Sequence, residues 1–297
     1  IAPRRGCRPA AAPSVSDAAL SRDLARAAIL ATNAGCWAGW EVNFDPRTGL
    51  PKALDDAYVP EELREWGDPP LGWETFCRDS ADAANWQRTG FRVLPEAGCA
   101  ADEVAVATFS WGVSLEGAKC VQSDGVLGCD TPKFPSGECG GVQASAPPFV
   151  DVRTVVERPA GGPLAGCDRV RVELKIDAKA CAIVNCVVVA ERRDDCAAPP
   201  FSGKPMPGSA RARGLDATSV TDRCGKCFAR RDVGSAAFDA DGGTTLALAG
   251  DVYVSLRPLG AARDSGAALD VSVAGAGLRR EVTAAGDVDV VARLAAG

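Results

Sequence analysis

The passage CDRVRVELKIDAKACAIVNCVVVAERRDD, residues 167–195, limits the possible folds more than any other part of this chain. Val170, Val172, Leu174 and Ile176 alternate with Arg171, Glu173 and Lys175, which is the two-residue period of a strand. The alternation predicts one buried face and one face in water. The run that follows, CAIVNCVVVA, is about half the 18–20 apolar residues needed to span a bilayer, so it reads as a buried strand. FVDVRTVVERP precedes the pair as a third strand, and TTLALAGDVYVSLRPLG, ALDVSVAGAGLRREVTA and GDVDVVARLAAG close the chain in the same style. In the first half, CWAGWEVNFDPRTG, WQRTGFRVLP, EVAVATFSWGVSLEG and CVQSDGVLGCD supply further short strands bounded by Gly, Pro and Asp. Many short strands and few helices predict an all-β protein built of antiparallel barrels or sandwiches.

Two helical signals interrupt this pattern. SDAALSRDLARAAILATNAG carries an N-cap Ser16, Asp17 in the first turn and Gly35 just past its end, with Leu20, Leu24, Ala27 and Ala31 at helical spacing. In YVPEELREWGDPPLGWETFC, Tyr58 to Cys77, the sequence reads as a short helix after Pro60, a rigid Pro69-Pro70 break and a strand. The organisation expected is an N-terminal arm and helix over 1–35, a first β-domain over 36–128 and a Pro/Gly/Cys-rich linker over 129–148. A second β-domain over 149–297 carries an irregular insertion at 196–232. The leading IAPRRGCRPAAAPSVS holds Arg, Ala, Pro and Ser without an acid, the composition of a transit peptide remnant or of a plain disordered leader.

Composition removes several classes of function. A net charge of −6 and a pI near 5.0 argue against a nucleic-acid partner, which would need a basic face. The chain has no His, which excludes Ser-His-Asp and Cys-His nucleophiles, His-ligated haem and most catalytic zinc sites. Thirteen Cys suggest disulfides and an oxidising compartment. Candidates at short spacing are Cys120 with Cys129, Cys129 with Cys139, and Cys224 with Cys227. Because the count is odd, at least one thiol is left free or pairs with another chain.

The remaining chemistry is thin. Cys224-Gly-Lys-Cys227 has redox spacing but follows a polar loop, so a structural disulfide is the plainer reading. No second Cys-x-x-Cys accompanies it, and no metal site is expected. Glu61, Glu62, Glu65, Asp68 and Glu74 could pair as in a glycosidase, but EELREW reads more simply as a helix with its acids in water. No catalytic residue is assigned. All six Trp lie between residues 37 and 111, as one packed core or as the wall of a pocket or interface. The candidate contact residues are Trp37, Trp40, Trp66, Trp73 and Glu74, with Arg4, Arg5 and Arg8 on the arm.

NAGCWAGWEVNFD, YVPEELREWGDPPLGWETFC, CDRVRVELKID with CAIVNCVVVAER, and AGDVYVSLRP…ALDVSVAG…REV occur in an order that resembles a cyanobacterial and plastid family. That family has two lipocalin-like (calycin-like) β-barrels and no assigned activity, and the phycobiliprotein chromophore lyases are distant relatives. The resemblance implies two consecutive antiparallel calycin-like barrels. It also implies a non-enzymatic plastid protein, peripheral to the thylakoid, that bridges or stabilises photosystem or light-harvesting antenna proteins as a linker. Contact with chlorophyll, carotenoid or lipid is the only cofactor chemistry it suggests. The alternatives are a pigment or lipid carrier akin to a chromophore lyase, and a secreted thiol-redox or carbohydrate-active enzyme. The many Cys and the 196–232 insertion depart from the family pattern.

Overall fold

A computed structural model of the chain describes residues 34–59, 61–65, 70–81, 85–94, 106–114, 119–123, 126–131, 149–159, 161–194, 233–260, 266–283 and 288–294. Within them the protein is all-β. Its one helix there, α1 (Glu61–Glu65), and the strand beginning at Trp73 stand where the 58–77 segment predicts them. The helix expected after Ser16 lies outside the described residues.

Nine strands form one antiparallel sheet: β1 (Gly35–Phe44), β2 (Trp73–Ala81), β3 (Asn85–Val93), β4 (Val106–Ser114), β5 (Lys119–Ser123), β6 (Val126–Thr131), β7 (Phe149–Glu157), β8 (Arg169–Asp177) and β9 (Ala182–Asp194). Their spatial order is β4-β3-β2-β1-β9-β8-β7-β6-β5. The first strand is therefore clasped between β2 and the distant β9, with Trp40 facing Ala190 and Phe44 facing Cys186. Hydrogen bonding runs through this sheet without regard to the 129–148 stretch. Six further strands, β10 (Gly234–Phe238), β11 (Thr244–Leu248), β12 (Val252–Pro258), β13 (Ala267–Val273), β14 (Ala276–Val282) and β15 (Val288–Leu294), form a second antiparallel sheet in chain order. Chain-order meandering follows from tight turns. Val273 pairs with Ala276, which leaves Ala274 and Gly275 as a two-residue turn with φ of 48° and 82°.

The apolar core lies between the two sheets. The even-numbered side chains of β8, Val170, Val172, Leu174 and Ile176, are buried with Val42 and Phe44 of β1 and Cys186 and Val188 of β9. Leu246, Val254, Leu256, Leu269 and Val271 of the second sheet meet them in one continuous cluster. Arg280 of β14 is also fully buried and donates to Thr154 Oγ1 at 2.9 Å and to the Arg153 carbonyl at 3.0 Å, joining the second sheet to β7. A satellite cluster of Val59, Trp73 and Leu94 sits apart from this core.

One expectation is overturned. The odd-numbered side chains of β8 do not all face water: Arg169 and Arg171 are as deeply buried as Val170 and Val172, while Glu173 and Lys175 are partly exposed. The nine-stranded sheet curls over its charged face. Asp79 on β2 bonds Arg169 on β8, three strand spacings away, about 14 Å on a flat sheet. Their positions also differ by four residues along β1, since Asp79 is opposite Gly35 and Glu191, the neighbour of Arg169, is opposite Gly39. Only a coiled sheet with this face inward lets the two side chains meet. Gly39 and Gly90 permit the bend. A Cβ on Gly39 would lie 2.3 Å from the Ala190 carbonyl oxygen, and one on Gly90 2.4 Å from that of Phe76.

Candidate functional site: the charged interior of the curled sheet

The inner face of the curl is built from residues that alternate with the core positions of β1, β2, β3, β8 and β9. Four of them close a ring. Arg88 Nη1 donates to both Asp79 oxygens at 2.9 Å. Arg169 Nη2 donates to Asp79 Oδ2 at 2.7 Å and Arg169 Nε to Glu191 Oε2 at 2.6 Å. Arg88 Nη2 completes the circuit by donating to Glu191 Oε1. All four side chains are at most 2% exposed. Trp37 caps the ring: the Arg169 guanidinium lies 3.5 Å from its ring centroid, and that of Arg193 5.4 Å on the same indole.

Arg171 adjoins the ring. Its Nη2 lies 3.2 Å from Glu173 Oε1 and its Nε 3.5 Å from Glu191 Oε2, yet neither its Nε nor its Nη1 makes a hydrogen bond. Burial alone would raise the Glu191 carboxyl, but Arg169, Arg171 and Arg88 outweigh it and hold Glu191 well below the usual carboxylate range. Glu173 is likewise lowered against its burial by Arg171, Arg153 and Arg88. The Cys77 thiol, on the same face of β2, is pushed up to about 11 because its burial outweighs the nearby Arg88 and Arg171. Cys186, in the apolar core, is pushed up to about 12 by burial. Such thiols stay protonated at neutral pH and are poor nucleophiles.

The candidate contact residues are dispersed. Trp37 faces the inner side of the curl, whereas Trp40, three residues along β1, is in the core between the sheets with its indole nitrogen buried and unbonded. Trp73 packs with Val59 and Leu94, and Tyr58 meets it edge-on at 5.4 Å. Glu74 is buried on the opposite face of β2 from Trp73. Trp37 and Trp73 thus share the inner face by register, four residues apart along the β1–β2 pair, and Trp40 is on the other. Trp66, Arg4, Arg5, Arg8, Cys139, Cys224 and Cys227 lie outside the described residues. Cys120 and Cys129 stand directly opposite one another on β5 and β6.

Cys77, Cys181 and Cys186 are free thiols, while Cys36 is disulfide-bonded. Cys181 precedes the strand that carries Cys186. It ends the β8–β9 turn, with φ of 50°. Among the described residues no group of three or more His, Cys, Asp or Glu is placed to hold a metal, and no helix is long and apolar enough to cross a membrane.

The ring residues Asp79, Arg88, Arg169 and Glu191 were not among the sequence candidates. Their one visible signal was charge placed next to strongly apolar strand residues, as in CVVVAER. Compared with known proteins, the chain matches no family model and no curated protein.

Proposed function

We propose that this chain is a non-enzymatic docking protein, a rigid β-scaffold that bridges or stabilises subunits of a photosynthetic membrane complex in the plastid. The observation that carries the reading is the closed Arg88–Asp79–Arg169–Glu191 ring. It places mutually bonded charges at the centre of the inner face of the curled sheet, where an apolar carrier would present an apolar pocket. The well-raised Cys77 and Cys186 thiols suit a structural role better than a redox one. Phe238, 62% exposed on β10, together with Tyr58, Tyr253 and Leu259, offers apolar contact to a partner on the outer surface.

The plastid setting and the photosystem or antenna partners rest on the family resemblance of the motifs quoted above. The expectation of two calycin-like barrels, over 36–128 and 149–297, belongs to the same reading. Mild-detergent fractionation of the native membranes, with mass spectrometry locating this chain, tests the proposal. Co-migration with a large chlorophyll-containing complex is expected. Migration of the chain as a free species of about its own mass would overturn it.

A further inference from the structure

The hairpin at one end of the nine-stranded sheet brings together two cysteines that neither the ring nor the docking surface uses. Strands β5 and β6 pair from Ser123–Val126 to Lys119–Asp130, and Cys120 stands opposite Cys129. Only Asp124 and Gly125 separate the paired ends. With so short a connection, the closing Ser123–Val126 pair exchanges both of its backbone hydrogen bonds, because the other ladder pattern would need a bond between two adjacent residues. Bonded and non-bonded pairs then alternate along the ladder. Gln122–Leu127 is non-bonded, Val121–Gly128 bonded and Cys120–Cys129 non-bonded.

That phase decides the chemistry. Residues facing one another in a non-bonded pair have Cα atoms about 4.5 Å apart, about 1 Å closer than in a bonded pair. A disulfide spans Cα separations of about 4.4–6.8 Å, so the backbone here is already within bridging range. Among the described residues the register offers neither cysteine a different thiol. Arg153 of β7 stands across Cys129 on its other side. Cys36, which is disulfide-bonded, alternates with Trp37 and so belongs to the opposite face from the row of Cys129, Arg153 and Glu173. Cys77, Cys181 and Cys186 are free.

We infer that Cys120 and Cys129 form a disulfide that staples the β5–β6 hairpin. It forms by exchange with a small-molecule disulfide such as glutathione disulfide. One cysteine thiolate attacks a glutathione sulfur and releases one glutathione thiol, and the other cysteine displaces the second from the mixed disulfide. Two electrons pass to the donor, which leaves as two thiols carrying the two protons given up by the cysteines. Strand β5 lies against β15 of the second sheet, so the staple holds a strand through which the two sheets meet. The inference is independent of the docking reading and of any partner.

The test equilibrates the purified full chain with glutathione disulfide, quenches it with N-ethylmaleimide and digests it with trypsin. Lys119 and Lys133 place both cysteines in one peptide, 120–133, while Cys139 falls in the next, 134–153. Mass spectrometry should find peptide 120–133 lighter than its dithiol by two hydrogen atoms, taking no maleimide before reduction and two after it. Cys120→Ser should quicken amide exchange in β5 and β6 several-fold relative to the oxidised chain. Two maleimides on peptide 120–133 before reduction overturn the inference. So does its linkage to peptide 134–153, which would assign Cys129 to Cys139. Exchange in β5 and β6 that Cys120→Ser leaves unaltered overturns the stapling role.

Discussion

At the scale of single residues, the inner face of the curl is a set of charges that can exist in the interior only together. Glu191 serves three guanidinium groups at once. Glu191→Gln removes that charge while leaving the guanidiniums buried, and should cost about 3–5 kcal/mol in urea unfolding. The same carboxylate sets an acid limit. Its folded pKa is depressed, so its stabilisation is fully present above the ordinary carboxylate value near 4.3 and is lost as pH falls below it toward the folded pKa. Glu173 and Asp270 are depressed too and act in the same direction. Denaturation midpoints measured from pH 7 downward should hold until about pH 5 and then fall. Cys77 and Cys186 report burial differently. A thiol reagent that labels both rapidly in urea should leave both unlabelled in the native protein at pH 8, and prompt native labelling would mean an open interior.

At the scale of elements, the strands were largely legible and their surroundings were not. The apolar members of β8 and β9 and the turns at Asp45–Gly49 and Ala274–Gly275 follow from local chemistry. What local chemistry cannot reveal is that β1 pairs with a strand some 150 residues later. That pairing is what folds Arg169, Arg171 and Glu191 inward. Charged residues at alternate positions read as a solvent face, and they would be one on a flat sheet. Clustering of the Trp residues along the chain suggested one packed core or a shared wall; the period of two puts Trp37 and Trp40 on opposite sides of one strand, with Trp73 by register on the side of Trp37. The bend itself rests on Gly39. Gly39→Ala sets a methyl against the Ala190 carbonyl and should force β1 from β9, destabilising the protein by about 2 kcal/mol or more in the same urea assay.

At the scale of the whole molecule, two sheets share one apolar core and are tied by one buried arginine. Arg280→Ala removes two charge-assisted hydrogen bonds to β7 and should cost roughly 2–3 kcal/mol. Hydrogen exchange should then quicken in β13 and β14 before it does in β1 and β9, where the ring is untouched. The central claim is that the nine-stranded sheet curls far enough for β2 and β8 to meet across β1 and β9. A double-mutant cycle between Asp79→Asn and Arg169→Gln, read by urea unfolding, tests it most directly. The ring predicts a coupling of at least about 1.5 kcal/mol between the two positions, whereas effects that add to within about 0.5 kcal/mol would mean that the side chains do not touch and that the sheet is open.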